Sequence, residues 1–131
     1  MQIHQSAEDY LETILMLTQR MGRVRSIDVV NELGYTKASV SIAMKKLREN
    51  GYIAVDGEGN LTLLEPGREI AERIYSRHRL LTHFFVQLGV DEKTAAEDAC
   101  KAEHILSEQT LKKIREYALL HDAEDSVQKS E

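Results

Sequence analysis

The chain has 131 residues, 42% of them hydrophobic and 30% charged, which is typical of a globular protein with one compact domain or two small ones. No apolar run approaches the roughly 20 residues that cross a bilayer, and the sequence begins without a signal-peptide pattern. We therefore expect a cytoplasmic protein that has no membrane partner. The single cysteine, Cys100, cannot form an internal disulfide, so it is buried, reactive or a metal ligand.

The charge of the chain is unevenly distributed. The net charge of −5 would, as an average, disfavour binding to nucleic acid. Between Arg20 and Arg48, however, the chain carries seven basic and two acidic side chains. A basic patch of this kind is expected on a surface that contacts DNA phosphates. A solvated helix surface is the alternative interpretation of the same charges.

The first half of the sequence predicts three helices and a hairpin. Ser6, Ser26 and Thr36 stand at expected N-cap positions, and Gly34 supplies the left-handed conformation that ends the second helix. Apolar residues recur at helical spacing within each helix, and two short strand-like runs flank a turn-rich loop. The expected helices are 6–22, 26–33 and 37–50, and the expected strands are 52–55 and 61–64.

This order of elements is typical of a winged helix-turn-helix. The second helix, the turn at 34–36 and the third helix would form the helix-turn-helix, and the loop at 56–60 would be the tip of the wing. A generic helical domain with an incidental hairpin is the alternative. We place this DNA-binding domain at residues 1–66.

The second half predicts three further helices. Pro66 is tolerated in the first turn of a long helix, which is expected to end near Leu88. Asp91 would cap a fifth helix through about Leu106, and Ser107 would cap a sixth to about Leu119. The fifth and sixth helices are expected to supply a dimer interface, with the alanines of the fifth allowing close approach. The fold class is thus mainly α with a small β-hairpin, with a helical metal-binding and dimerisation domain at 67–120 and a polar, flexible tail at 121–131.

The third helix is the candidate recognition helix. Its N-terminal half would enter the major groove, where hydroxyl groups reach phosphates or base edges and Ala38 or Ile42 contacts a thymine methyl. The wing loop carries two acidic residues and no basic one, so we expect weak phosphate contact from it. The candidate DNA-binding residues are Arg25, Thr36, Lys37, Ala38, Ser39, Ser41, Ile42, Lys45 and Lys46.

Three potential metal ligands are clustered in the fifth helix. Cys100, Glu103 and His104 are spaced i, i+3 and i+4, which places them on one helical face. A thiolate, a carboxylate and an imidazole leave such a site short of at least one ligand, which must come from elsewhere. Glu103 and His104 are costly to bury unless they are paired or coordinated. Cys100 could equally be a small core residue of an alanine-rich helix.

Further ligand candidates lie on the first and fourth helices. Asp9 and Glu12 form an i, i+3 carboxylate pair, although Asp9 could form a capping box with Ser6 and Glu12 could belong to a solvated face. The long helix carries His78 and His83. A single histidine on a helix is more often a structural residue than a ligand.

A specific combination of segments indicates a known family. The segments are 8–14, 61–63, 66–67, 77–81, 88–91 and 99–107. In them the chain resembles the iron- and manganese-dependent repressors of the diphtheria-toxin-repressor type, and especially the shorter, two-domain manganese-transport-regulator branch. The resemblance extends to about Tyr117, and the third, SH3-like domain of the longer members is expected to be absent.

The resemblance implies a set of metal ligands with mixed character. The positions that match the metal-binding positions of the manganese branch are Asp9, Glu12, His78, Glu103 and His104. The sixth position is usually a glutamate in that branch, and here it is Cys100, as is typical of the iron branch. The iron branch in turn usually has methionine at the position of Asp9, and it has second-site ligands where this chain has Thr82 and Ala96. The implied metal is Mn²⁺ or Fe²⁺, with Co²⁺ and Zn²⁺ as substitutes in vitro.

The function that follows is that of a metal-dependent transcriptional repressor of metal-homeostasis genes. Metal binding would order a homodimer so that both winged helices fit a palindromic DNA operator with half-sites about 34–36 Å apart. A winged-helix regulator that senses an organic ligand is one alternative. A metalloenzyme that uses Glu103 or Glu12 as a base is another, although the sequence has no nucleophile elbow or phosphate loop, and we expect no enzymatic activity.

Overall fold

The computed structural model describes the backbone of residues 5–129 and the side chains of residues 5–122. The chain forms two compact units, residues 1–74 and 75–131, whose boundary lies within the fourth helix. The predicted fold class, mainly α with a small hairpin, is confirmed. The elements are α1 (Gln5–Met21), α2 (Ser26–Leu33), α3 (Lys37–Glu49), β1 (Ile53–Val55), β2 (Leu61–Leu63), α4 (Glu65–Gln87), α5 (Glu92–Ala102) and α6 (Glu108–Lys129).

The first unit packs α1, α2, α3 and the hairpin around one core. The fully buried side chains of this core include Leu11, Ile14, Leu17, Val24, Val29, Val40 and Ile53. Helix α1 is buried on all sides in its middle part, whereas an amphipathic helix buries only one face. Every residue from Tyr10 to Leu15 is buried, including the polar residues Glu12 and Thr13. Burial of a carboxylate is unfavourable unless the group is paired or coordinated, so Glu12 is a candidate functional residue.

The helix-turn-helix has the predicted turn chemistry. Gly34 has φ of 72° and its N–H donates to the carbonyl of Val30 at 2.8 Å, which ends α2. The hydroxyl of Thr36 accepts the backbone N–H of Ser39 at 3.1 Å and caps α3. These two local interactions set the start of α3.

Two predicted N-caps are wrong. Helix α1 already begins at Gln5, which places Ser6 inside the helix. Helix α2 has Arg25 at its N-cap position, where the backbone N–H of Arg25 donates to the Asp28 carboxylate at 2.9 Å. Asp28 is thus the N3 residue whose carboxylate accepts the N-cap N–H, and Ser26 is the first residue inside the helix.

The hairpin is extended by the segment that precedes α2. Strand β1 pairs antiparallel with β2, with Ile53 opposite Leu63 and Val55 opposite Leu61. The Leu61 N–H also donates to the carbonyl of Val24 at 2.7 Å, and Arg25 forms an isolated antiparallel bridge with Asn60. The start of β2 therefore pairs with β1 on one edge and with the segment before α2 on the other.

The second unit has its own core between α4, α5 and α6. Leu81, Ala99 and Leu111 are fully buried at its centre, and five partly buried residues pack against them: Leu80, Phe85, Ala102, Leu106 and Ile114. Ala95 is also fully buried within the chain. The interpretation that these alanines allow close approach of a partner is therefore wrong for Ala95 and Ala99, since the chain itself covers them.

The ends of the last two helices differ from the prediction, although Asp91 and Ser107 cap them as expected. Helix α5 ends at Ala102 rather than near Leu106, and α6 continues to Lys129 rather than ending near Leu119. No glycine or proline marks either end in the sequence, so the pattern contained no signal for the difference. Residues 130 and 131 of the predicted tail lie outside the described residues. Among the residues described, no helix is long and apolar enough to cross a membrane.

Candidate metal centre and nucleic-acid interface

Glu103 lies between two histidines in the second unit. Its carboxylate oxygen Oε2 is 3.0 Å from Nδ1 of His78, which projects from α4. The other oxygen, Oε1, is 3.4 Å from Nε2 of His104, the next residue in the chain. Two imidazoles and one carboxylate are thus brought together from elements that are separated in the sequence, as the ligand prediction requires.

The burial of this cluster indicates a cation site. Glu103 is fully buried and the His104 side chain is 1% exposed. Within the described part of the chain, Oε1 of Glu103 accepts no hydrogen bond. An ionised carboxylate in such a position loses its hydrogen bonds to water. The hydrogen bond between Oε2 and His78 replaces only part of them. A divalent transition metal would neutralise the carboxylate, and the oxygen and nitrogen donors suit such an ion.

Helix α5 ends earlier than was expected for Cys100, Glu103 and His104, but Cys100 and Glu103 still converge, with one ligand atom of each within 4.8 Å of the other. Cys100 is on α5, whereas Glu103 is the C-cap residue and His104 lies in the turn that follows. Cys100 is exposed, so the alternative interpretation of it as a small core residue is wrong. Glu103 keeps a right-handed helical conformation, and its N–H donates to the carbonyl of Ala99 at 2.9 Å, so its side chain still projects as the helix directs. The same carboxylate lies beside His78 of α4.

The two candidate ligands of the first unit lie one turn apart on α1. Glu12 is 5% exposed, so its assignment to a solvated face is wrong. Asp9 is half-buried, and the start of α1 at Gln5 removes the N-cap position that the capping alternative required for Ser6. His83, in contrast, pairs with Asp122 of α6 at 2.9 Å, as expected for a structural histidine.

Helix α3 presents a polar surface opposite its buried face. Val40, Met44 and Leu47 are buried, and the predicted contact residues are exposed: Thr36, Lys37, Ala38, Ser39, Ser41, Ile42, Lys45 and Lys46. Ile42 is 57% exposed although it is strongly apolar. An isolated exposed isoleucine within a polar helix face is suited to contact with a thymine methyl group.

A hollow of about 280 Å³ adjoins this surface. It is lined from α3 by Ser39, Ile42 and Lys46 and from α1 by Ser6 and Tyr10, among others. Burial raises the pKa of Tyr10 above its ordinary value, with further contributions from Tyr35 and Asp9. The sequence pattern did not predict this hollow, because it depends on how α1 crosses α3.

The wing has a basic side chain close to its tip. The carboxylate of Asp56 accepts hydrogen bonds within the loop from the Glu58 N–H, the Asn60 N–H and the Asn60 side chain. The side-chain hydrogen bond from Asn60 is the largest influence that holds the pKa of Asp56 below its ordinary value. A Cβ at Gly59 would lie 3.5 Å from Nε of Arg25, so this exposed guanidinium borders the wing loop. Arg25 thus supplies a positive charge where the loop itself has none.

Comparison with protein families agrees with both the metal-ligand cluster and the DNA-binding face of α3. Residues 2–61 match the family described as "Iron dependent repressor, N-terminal DNA binding domain". Residues 64–122 match "Iron dependent repressor, metal binding and dimerisation domain". The chain belongs to the iron-dependent repressor family. It is a metal-dependent transcriptional regulator that binds DNA and forms homodimers.

Individual relatives cover most of the sequence. An uncharacterized HTH-type transcriptional regulator of Methanocaldococcus jannaschii is 37% identical over 113 residues, which are 85% of this chain and 90% of the relative. The HTH-type transcriptional regulator MntR of Bacillus subtilis is 32% identical over 124 residues, which are 95% of this chain and 87% of the relative.

Solved structures of similar proteins agree with the fold. A manganese-dependent transcriptional repressor in complex with manganese has a TM-score of 0.78 and 28% identity, and the match covers 86% of this chain and 52% of that one. The manganese regulator SloR has a TM-score of 0.74 over 89% of this chain and 54% of its own, at 24% identity, and therefore supports the fold alone. The chain spans about half the length of these two solved structures.

Proposed function

We propose that the chain represses metal-homeostasis genes in the cytoplasm when Mn²⁺ or Fe²⁺ binds to it. The main observation in support is the fully buried carboxylate of Glu103 between the imidazoles of His78 and His104. The proposed ligand set adds Asp9, Glu12 and Cys100 to these three residues. The proposal includes no catalytic step.

The proposed ligand set combines hard and soft donors. The carboxylates of Asp9, Glu12 and Glu103 are oxygen donors that suit Mn²⁺, whereas a thiolate at Cys100 favours Fe²⁺, Co²⁺ or Zn²⁺. A bound ion would supply positive charge to the carboxylates, which favours their burial. We propose that Cys100 determines how strongly the site discriminates among these metals.

The proposed mechanism is a population shift between dimer geometries. Asp9 and Glu12 belong to the DNA-binding domain at residues 1–66, whereas the other ligands belong to the metal-binding and dimerisation domain at 67–120. An ion that binds ligands of both domains would stabilise the domain arrangements in which the two groups of ligands are close together. We propose that these arrangements place the two α3 helices at the spacing of a palindromic operator.

The proposal predicts that DNA binding depends on metal. On a palindromic operator duplex, Mn²⁺ or Fe²⁺ is expected to strengthen binding by roughly 5–150-fold, the range that a coupling of 1–3 kcal/mol gives. Fluorescence anisotropy under anaerobic conditions, with and without each metal, measures this change. Equal affinity with and without metal would contradict the proposal and favour a regulator that senses an organic ligand.

The basic face of α3 gives a second prediction. Lys45 is exposed beside Ile42, and Lys45→Ala is expected to remove one phosphate contact. The slope of log affinity against log salt concentration should then decrease in magnitude by about 1, equally for specific and unrelated DNA. Lys112→Ala, an exposed change on α6, is the matched control and should leave the slope unchanged. An unaltered slope in Lys45→Ala would exclude this residue as a phosphate contact.

A further inference from the structure

Arg77 links the residue at the end of α5 to the start of α6. Its side chain is 14% exposed, so the guanidinium is largely buried. Nη1 donates to the backbone carbonyl of Glu103 at 3.2 Å. Nη2 donates to the carboxylate of Glu108, in the first turn of α6. One guanidinium group therefore contacts both ends of the connection between the two helices.

The contact with Glu103 lies at a helix terminus. The last carbonyl groups of a helix have no partner within the helix, and the negative end of the helix dipole favours a cation there. Arg77 satisfies the carbonyl of the C-cap residue, while the next residue, His78, lies against the carboxylate of the same Glu103. Consecutive side chains of α4 thus hold Glu103 by its backbone and by its side chain.

The contact with Glu108 lies at the start of α6. The hydroxyl of Ser107 accepts the Thr110 N–H at 3.1 Å, so this first turn is capped. The rigid fork of a guanidinium can donate to two acceptors at once, which a lysine cannot reproduce with the same geometry. The position of Glu103 is therefore coupled through Arg77 to the first turn of α6.

We infer that Arg77 is a positioning residue for the metal centre and for its connection to α6. The inference rests on the proposed function, because it requires Glu103 to be a ligand. Arg77 fixes the backbone from which the Glu103 carboxylate projects. Because the same guanidinium also binds Glu108, a shift of Glu103 is transmitted to the first turn of α6. Partners that orient metal ligands typically affect metal affinity about 10–100-fold when they are replaced.

The test compares three variants of the full chain by titration with Co²⁺. Arg77→Gln is expected to weaken Co²⁺ affinity by at least about tenfold and to alter the visible absorption spectrum of the bound ion. Glu108→Gln leaves the contact with the Glu103 carbonyl in place, so it should retain the wild-type affinity and spectrum while reducing the gain in DNA affinity on metal binding. Arg115→Gln, an exposed change on α6, is the control and should match the wild type in both measurements.

Different outcomes test the role of Arg77 and the proposed function on which it rests. Absence of Co²⁺ binding by the wild type would overturn the proposed function. Wild-type affinity and spectrum in Arg77→Gln, or an equal loss of affinity in Glu108→Gln, would overturn the role of Arg77 alone. Thermal unfolding of the metal-free variants checks that each one folds. If Arg77→Gln does not fold, Arg77→Lys replaces it and is expected to change affinity and spectrum in the same direction.

Discussion

Replacing Glu103 with glutamine is expected to abolish the response of DNA binding to metal. Glutamine retains the size of the side chain and one carbonyl oxygen but removes the charge that would bind the ion. Loss of residues that only orient a ligand weakens metal binding by about 10–100-fold, so loss of a buried charged ligand should exceed about 100-fold. In Glu103→Gln, DNA affinity in the presence of Mn²⁺ should equal that of the metal-free wild type.

The stability of the same variant provides a second measurement. A ligand at 100 times its dissociation constant stabilises the folded protein by about 2.7 kcal/mol, and Glu103→Gln should lose this gain at the same Mn²⁺ concentration. Without metal, the variant should be at least as stable as the wild type, because it buries an amide instead of a carboxylate. Glu97→Gln, an exposed change on α5, is the matched control. Wild-type stabilisation by Mn²⁺ in Glu103→Gln would exclude Glu103 as a ligand.

Local chemistry explains which elements could be predicted from the sequence. Thr36, Asp91 and Ser107 are N-caps whose side chains accept hydrogen bonds within their own helix, so nearby residues are sufficient to identify them. Gly34 ends α2 because its left-handed conformation is readily available only to glycine. The helical spacing of its apolar residues predicts the buried face of α3. The candidate DNA contacts are then the residues on the opposite, exposed face.

The geometry of the metal cluster depends on interactions between distant segments. The residues from Cys100 to His104 are acceptable in a helix, so the sequence predicted that the helix continues. In the structure, α5 stops at Ala102, and the Glu103 carbonyl accepts a hydrogen bond from Arg77 instead of one from a later residue of the same helix. In the sequence, Arg77 is simply the residue before His78. No spacing rule indicates that its side chain reaches the end of α5.

Replacing Gly67 with alanine is expected to destabilise the first unit strongly. Gly67 lies in the first turn of α4, where an added Cβ would be 2.2 Å from the carbonyl oxygen of Tyr52 and 3.3 Å from Cδ2 of Leu11. The Tyr52 carbonyl also accepts the N–H of Leu64, so it cannot move without disturbing the end of the hairpin. Alanine usually favours a helix over glycine by about 1 kcal/mol, but here the backbone clash should outweigh that preference.

The expected loss of unfolding free energy for Gly67→Ala is about 1–3 kcal/mol, the usual effect of an added methyl group in a tightly packed site. Denaturation with urea, followed by circular dichroism, measures it as a lower midpoint at an unchanged slope. Gly57→Ala is the matched control, because a Cβ there meets no atom within 4 Å and the residue has no positive φ. A midpoint for Gly67→Ala equal to that of Gly57→Ala would mean that α4 moves away from Tyr52 at little cost.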